Sequence, residues 1–312
     1  MATLIRRDVR GPALLLQQDC RHRDRDSDDG SRDLDLSDLA ELFGSIGLTL
    51  GMKMENPEIL IEDRGPIRVI TLNRPVDRNA VSTSMLFRLT EIVRDLTTDD
   101  SIRAVILTGA GKAFSAGGDF NHFVATANDP EVARSTIRNG KNLITAMLDL
   151  PVPVIAAVNG AAVGFGTTLL ALSDIVIIAD SAFLSEPHAN VGLVIGDGIS
   201  ITWPFAMSLH KAKELAFTGD RIYAAEAVAC GLANKAVPIE SLMDEALAMA
   251  GKIVSQPRSA IAGSKLLLNM QIKAQVSTVL ERQMQLQFEQ TQGADHARIV
   301  QSLIDAQKRS QG

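Results

Sequence analysis

Twice in this chain a short run of β-branched and small apolar residues passes into a glycine-rich turn and then a helical pattern. No other feature constrains the fold as much. The first copy is the strand-like run 104–108, followed by Gly109, Gly111 and the pair Gly117-Gly118. The second is 154–158, followed by Asn159-Gly160 and a small-residue helix from Gly164. Upstream, 59–61 and 67–72 flank Asp63-Arg64-Gly65, a hairpin signal. Residues 82–96 place Met85, Leu86, Leu89, Ile92, Val93 and Leu96 at helical spacing, with Ser82 as cap. A helix over 133–150 ends at Pro151 and Pro153, and 175–179 reads as another strand. Strands alternating with helices indicate an α/β fold, and two strands per helix in the first unit indicate ββα repeats rather than strict βαβ.

After Pro204 the pattern is almost wholly helical, and 257–308 carries no strand signal. That tail holds Leu266, Leu267, Leu268, Met270, Val279, Leu280, Met284, Leu286 and Phe288, apolar surface that its own core or a partner subunit must cover. At the other end, residues 1–53 read as a charged extension. Eight Asp and four Arg fall within 19–38, a density that cannot bury an apolar face and predicts disorder. A short helix over 34–50 is the exception. The expected division is an extension at 1–53, a core at 54–255 and a helical oligomerisation region at 256–312.

Composition narrows the function classes. A net charge of −6 leaves no basic surplus for nucleic acid. Two cysteines, Cys20 and Cys230, are no disulfide framework, so a reducing, cytoplasmic setting is expected. No apolar run reaches the ~18–20 residues that span a bilayer. The five histidines nowhere show metal-ligand spacing, so no metal is implied.

Several motifs carry a family resemblance. Ile70-Thr71-Leu72-Asn73-Arg74-Pro75 precedes Asn79-Ala80, and AVILTGAGKAFSAGGD occupies 104–119. PVIAAVNG follows at 153–160, then Ser173-Asp174-Ile175 and Thr218-Gly219-Asp220. In order and spacing these resemble the crotonase (enoyl-CoA hydratase/isomerase) superfamily from about Pro57 to the C-terminus. The resemblance implies a ClpP-like spiral of ββα units with a helical C-terminal trimerisation region, in a homotrimer or dimer of trimers. It also implies coenzyme A thioesters as substrates, with no separate cofactor. Enolate formation from a thioester needs two hydrogen-bond donors on one carbonyl oxygen, and N–H groups in glycine-rich turns at helix N-termini supply them. By motif these are the N–H groups of Ala116 and Phe165. The family's ligand contacts map onto Arg78, Ala80, Phe114, Ser115, Gly117, Gly118, Asp119, His122, Thr168 and Trp203. Arg74, Arg78 and Lys112 stand near the phosphates.

The chain departs from the hydratase pattern at both catalytic glutamates. Thr168 stands at the first and cannot act as acid or base at neutral pH. His188 stands at the second, and Asp197 lies nine residues on between Gly196 and Gly198. A His–Asp pair makes a general-base dyad, and with Trp203-Pro204 it resembles the crotonase subgroup that includes 6-oxocamphor hydrolase. Blander readings make Asp197 the cap of the helix from Ile199, Asp119 a helix cap, Glu186 a loop contact, and His210 and His296 solvated. Three functions follow: hydration, isomerisation or a related proton transfer at the α-carbon of an acyl-CoA with His188 as base, retro-Claisen hydrolysis of a β-diketone by the dyad, or a non-catalytic binding protein.

Overall fold

The computed structural model describes residues 57–311, which fall within one compact unit. The expectations for 1–53, including the short helix, lie outside the described residues. The chain begins with the hairpin β1 (Ile59–Arg64) and β2 (Ile67–Leu72). Next come helix α1 (Thr83–Asp95), with Ser82 Oγ accepting from Met85 N–H, and strands β3 (Ala104–Gly109) and β4 (Ala113–Ser115). Two helices follow where one was expected, α2 (Phe120–Asn128) and α3 (Pro130–Asp149). Each has its own aspartate cap: Asp119 accepts from Asn121 and His122 N–H, and Asp129 from Glu131 and Val132 N–H. Pro130 at the first turn of α3 is compatible with a helix start.

The ββα unit then repeats: β5 (Val154–Val158), β6 (Ala161–Val163) and α4 (Phe165–Ala171), then β7 (Ile175–Ala179), β8 (Phe183–Ser185) and α5 (Ile199–Ala206). The remainder is α6 (Leu209–Thr218), β9 (Ile222–Tyr223), α7 (Ala224–Cys230), β10 (Lys235–Val237), α8 (Leu242–Val254), α9 (Arg258–Lys273), α10 (Glu281–Thr291) and α11 (Ala294–Gln311). Past Pro204 the chain is almost wholly helical, as expected, apart from the two short strands β9 and β10. At two or three residues each, they are too short to show a period.

The first hairpin stays in one sheet, but from β3 to β8 each pair of strands sends its first member to that sheet and its second to another. The large sheet runs β1-β2-β3-β5-β7-β10 and the small one β4-β6-β8-β9. β4, β6 and β8 are parallel, so the loops after them emerge at one edge. Strand β5 and all of β3 but its last residue are buried, with α8 across them and β7, consistent with their largely apolar sequence. The tail is pinned to this core by the buried Lys265 of α9. Its Nζ donates to Asp174 Oδ2 at 2.7 Å and Val152 O at 3.0 Å. Among the described residues no helix is long and apolar enough to cross a membrane.

Candidate active site

A cavity of about 170 Å³ opens where the loops following β4, β6 and β8 converge. The first contributes Ala116, Gly117, Gly118 and Asp119, the second Gly164 and Phe165, and the third Pro187 and His188. Helices α1, α2, α3 and α10 close the other sides with Leu86, Phe123, Ile137 and Gln287, among others. The parallel small sheet is what brings these loops together.

The first loop is built on an unusual turn. Arg78 and Asn79 both take left-handed backbone, φ +50 and +57, which Asn tolerates better than most residues. Asn79 anchors the turn by accepting from Arg74 N–H and donating to the carbonyls of Ala110 and Ala113. The Arg78 carbonyl thereby faces Ala116 and accepts its N–H at 2.9 Å. Ala116 therefore cannot offer that N–H to a substrate, which corrects the sequence expectation. Gly117 N–H is also engaged, by Ser115 Oγ at 3.2 Å. Gly118 N–H and Phe165 N–H donate to no acceptor among the described residues. The two loops lie against each other: a Cβ built on Gly117 (φ +94) would stand 3.6 Å from Phe165 N and 2.8 Å from Val163 O. Phe165 is the first residue of α4, where the N–H has no intrahelical partner. The motif alone does not separate Ala116 from Gly118, two residues on, and only backbone pairing does.

On the third loop His188 is held between two carboxylates. Nδ1 contacts Glu186 Oε1, and Nε2 lies 3.6 Å from Asp197 Oδ2. Glu186 is no loose loop contact, since its residue is 1% exposed. The loop carrying Asp197 approaches so closely that a Cβ on Gly196 would fall 2.4 Å from His188 Nε2. Asp197 itself takes φ +58, a conformation disfavoured for residues other than glycine and found mostly where a site holds it. It caps nothing: the N-cap of α5 is Gly198, with no side-chain bond to the helix.

Burial on its own pushes the His188 pKa down. The charge of Glu186, then hydrogen bonding to Asp197 and Glu186, outweighs burial and pushes it up to about 10. Both carboxylates thus favour the protonated ring. The folded pKa exceeds the unfolded value of about 6.5. Stabilisation from this proton is therefore complete below about pH 6.5 and is lost as pH rises through about 10. Thermal unfolding midpoints should fall across that window, and His188→Gln should flatten the dependence. Identical profiles for the two proteins would contradict the assignment.

His122 lies in the wall but is already satisfied. Thr136 Oγ1 donates to Val132 O and so accepts from His122 Nε2 at 2.6 Å, which leaves Nδ1 to accept from Thr83 Oγ1 at 3.0 Å. Burial lowers its pKa against the opposing pull of Asp119. Asp119 is tied to Arg74 Nη2 at 2.9 Å and to the first turn of α2. That pairing, with Asp77 as a further partner at 2.7 Å, also removes Arg74 from the expected phosphate contacts.

Arg78, Ala80, Phe114, Ser115, Thr168 and Trp203 do not line this cavity. Phe114 and Trp203 are buried core residues, Ala80 packs against Phe120 and Leu303, and Ser115 Oγ bonds the Asn79 carbonyl. Thr168 is buried in α4 with its hydroxyl unpartnered. His210 is exposed, as expected, but His296 is 1% exposed. The His296 Nδ1–H donates to Val191 O at 2.6 Å beside the His188 loop, and burial lowers the ring's pKa.

Comparison with known proteins agrees with this arrangement. The family model for enoyl-CoA hydratase/isomerase matches residues 62–310. A crystal structure of an enoyl-CoA hydratase/isomerase from Mycobacterium paratuberculosis is similar at 41% identity and TM-score 0.76, covering 80% of this chain and 99% of that one. A monofunctional enoyl CoA isomerase from M. smegmatis is 33% identical with TM-score 0.60, covering 74% of this chain and 99% of that one. A short-chain-enoyl-CoA hydratase from Clostridium acetobutylicum is 34% identical over 228 residues, 73% of this chain and 87% of the relative. With its ββα repeats and two adjacent loops of free N–H donors, the chain belongs to the enoyl-CoA hydratase/isomerase family.

Proposed function

We propose that this enzyme moves a proton on the acyl group of a coenzyme A thioester, shifting a carbon–carbon double bond rather than adding water across it. The observation that carries this reading is the single available carboxylate. Asp119 is bound by Arg74 and its helix, Glu186 lies behind His188, and Asp197 is left facing the cavity.

In this reading the thioester oxygen accepts from Gly118 and Phe165 N–H. Asp197 takes a proton from the α-carbon, and the electron pair moves onto the oxygen as an enolate. The same carboxylate returns the proton at the γ-carbon, so a 3-enoyl thioester becomes a 2-enoyl thioester with no atoms gained or lost. The His188 imidazolium beside Asp197 balances its charge. Hydration asks for a second acid–base group, and the position where the family pattern has one holds Thr168, buried away from the cavity. The retro-Claisen alternative needs a neutral imidazole to activate water, which the two carboxylates oppose. Unengaged donors aimed into a cavity speak against a purely non-catalytic role. The enolate is stabilised by backbone dipoles, and the chemistry asks for no separate cofactor.

We also infer assembly as a homotrimer or dimer of trimers through the tail. Leu266, Leu267, Leu268 and Met270 of α9 are more than half exposed, which supports a covering subunit. Side-by-side assays of 3-enoyl-CoA, 2-enoyl-CoA and a cyclic 1,3-diketone test the function. Conversion of the 3-enoyl thioester with little water addition supports the proposal. Diketone cleavage without thioester turnover overturns it.

A further inference from the structure

The C-terminal tail returns to the site through α10. This helix carries Gln283, Gln287 and Gln290, spaced four and three residues apart and so leaving one face. Gln283 Oε1 accepts from Ser200 Oγ at 2.5 Å, and Gln290 Oε1 accepts from Val194 N–H at 2.5 Å. Val194 lies three residues before Asp197 and Ser200 three after it. The two outer glutamines thus fasten the loop on both sides of a residue whose backbone is left-handed. Gln283 is 4% exposed and keeps a buried Nε2 without a partner, an arrangement that costs stability and makes sense if its oxygen serves the site.

Gln287, between them, lines the cavity together with Asp197 and makes no hydrogen bond among the described residues. The hydroxyls nearby are not comparable. Thr126, Thr136 and Thr291 each donate to a carbonyl of their own helix, and Thr83 is engaged by His122. The Gln287 amide is therefore the free side-chain donor and acceptor in a wall that is otherwise largely apolar.

We propose that α10 positions and reads at once. Gln283 and Gln290 are positioning residues for Asp197, and Gln287 recognises an oxygen function, hydroxyl or carbonyl, on the acyl group. The proposal rests on Asp197 being the proton-transfer group. Steady-state kinetics on the full chain test it, using 3-enoyl-CoA substrates with and without a hydroxyl or keto group. Ser200→Ala, a small change on α5, and Gln290→Leu should each lower kcat about 5- to 10-fold with KM little changed. Gln290→Glu, which keeps the acceptor oxygen, should recover most of that loss. Gln287→Leu should reduce the preference in kcat/KM for the oxygenated substrate about 10-fold. Full kcat in both Ser200→Ala and Gln290→Leu, while Asp197→Asn is inactive, overturns the positioning role. An unchanged preference in Gln287→Leu overturns the reading role. Full activity in Asp197→Asn would instead remove the proton-transfer assignment beneath both.

Discussion

Asp197→Asn should lower kcat on a 3-enoyl-CoA by about 10³-fold, the range expected when a positioned acid–base group is removed. The substitution suits the question because Asn also tolerates left-handed backbone, so the loop held at φ +58 should keep its shape. Binding of the thioester through Gly118 and Phe165 N–H should survive, and KM should move little. The cause would then be the lost proton acceptor rather than a displaced loop. An unfolding midpoint close to that of the parent, with kcat near zero, is the expected pair of results. A variant retaining more than a tenth of parental kcat would pass the role to another group.

Gly117→Ala should cost about 10²-fold or more in kcat through the oxyanion hole. The residue sits at φ +94, and its added methyl would meet the Val163 carbonyl at 2.8 Å. The β4 and β6 loops would have to separate, moving the Gly118 donor away from the Phe165 donor. Because binding and turnover use the same donors, kcat/KM should fall at least as far as kcat. Gly118→Ala is the informative contrast. A Cβ there meets nothing within 4 Å, and the N–H remains, so its effect should be far smaller. Equal losses in the two variants would mean that the approach of the loops does not matter.

Much of this scaffold was legible in the sequence. The repeated runs at 104–108 and 154–158 became β3 and β5, and their glycine turns became the two donor loops. Their signal was strong because strands buried on both faces are apolar at nearly every position, Thr108 alone being polar. The strands β4, β6 and β8 were not legible, although they align the three loops. Three residues carry no period, and their pairing is long-range.

At the site, sequence reasoning found His188, Asp197 and Phe165 but misjudged their partners. Ala116 and Gly118 look equivalent in a motif, and only the left-handed Arg78-Asn79 turn decides between them. Glu186 reads as a loop contact because a carboxylate two residues from a histidine in an irregular loop has no fixed direction until the fold sets one. His296 reads as solvated helix surface, and the glutamines of α10 lie on the same helical tail. No motif marks those glutamines, and they are drawn into the site with His296 because the tail folds back over the Asp197 loop.

In the proposed reaction this cavity removes an α-proton from a coenzyme A thioester and holds the resulting enolate. Exchange of the α-hydrogens of a saturated acyl-CoA in deuterium oxide, followed by NMR, tests it most directly. Such a substrate can neither isomerise nor take up water, so only that step is read. The account predicts enzyme-dependent deuterium incorporation at the α-carbon, abolished in Asp197→Asn. Incorporation no faster than in buffer, with the thioester saturating the enzyme, would contradict it.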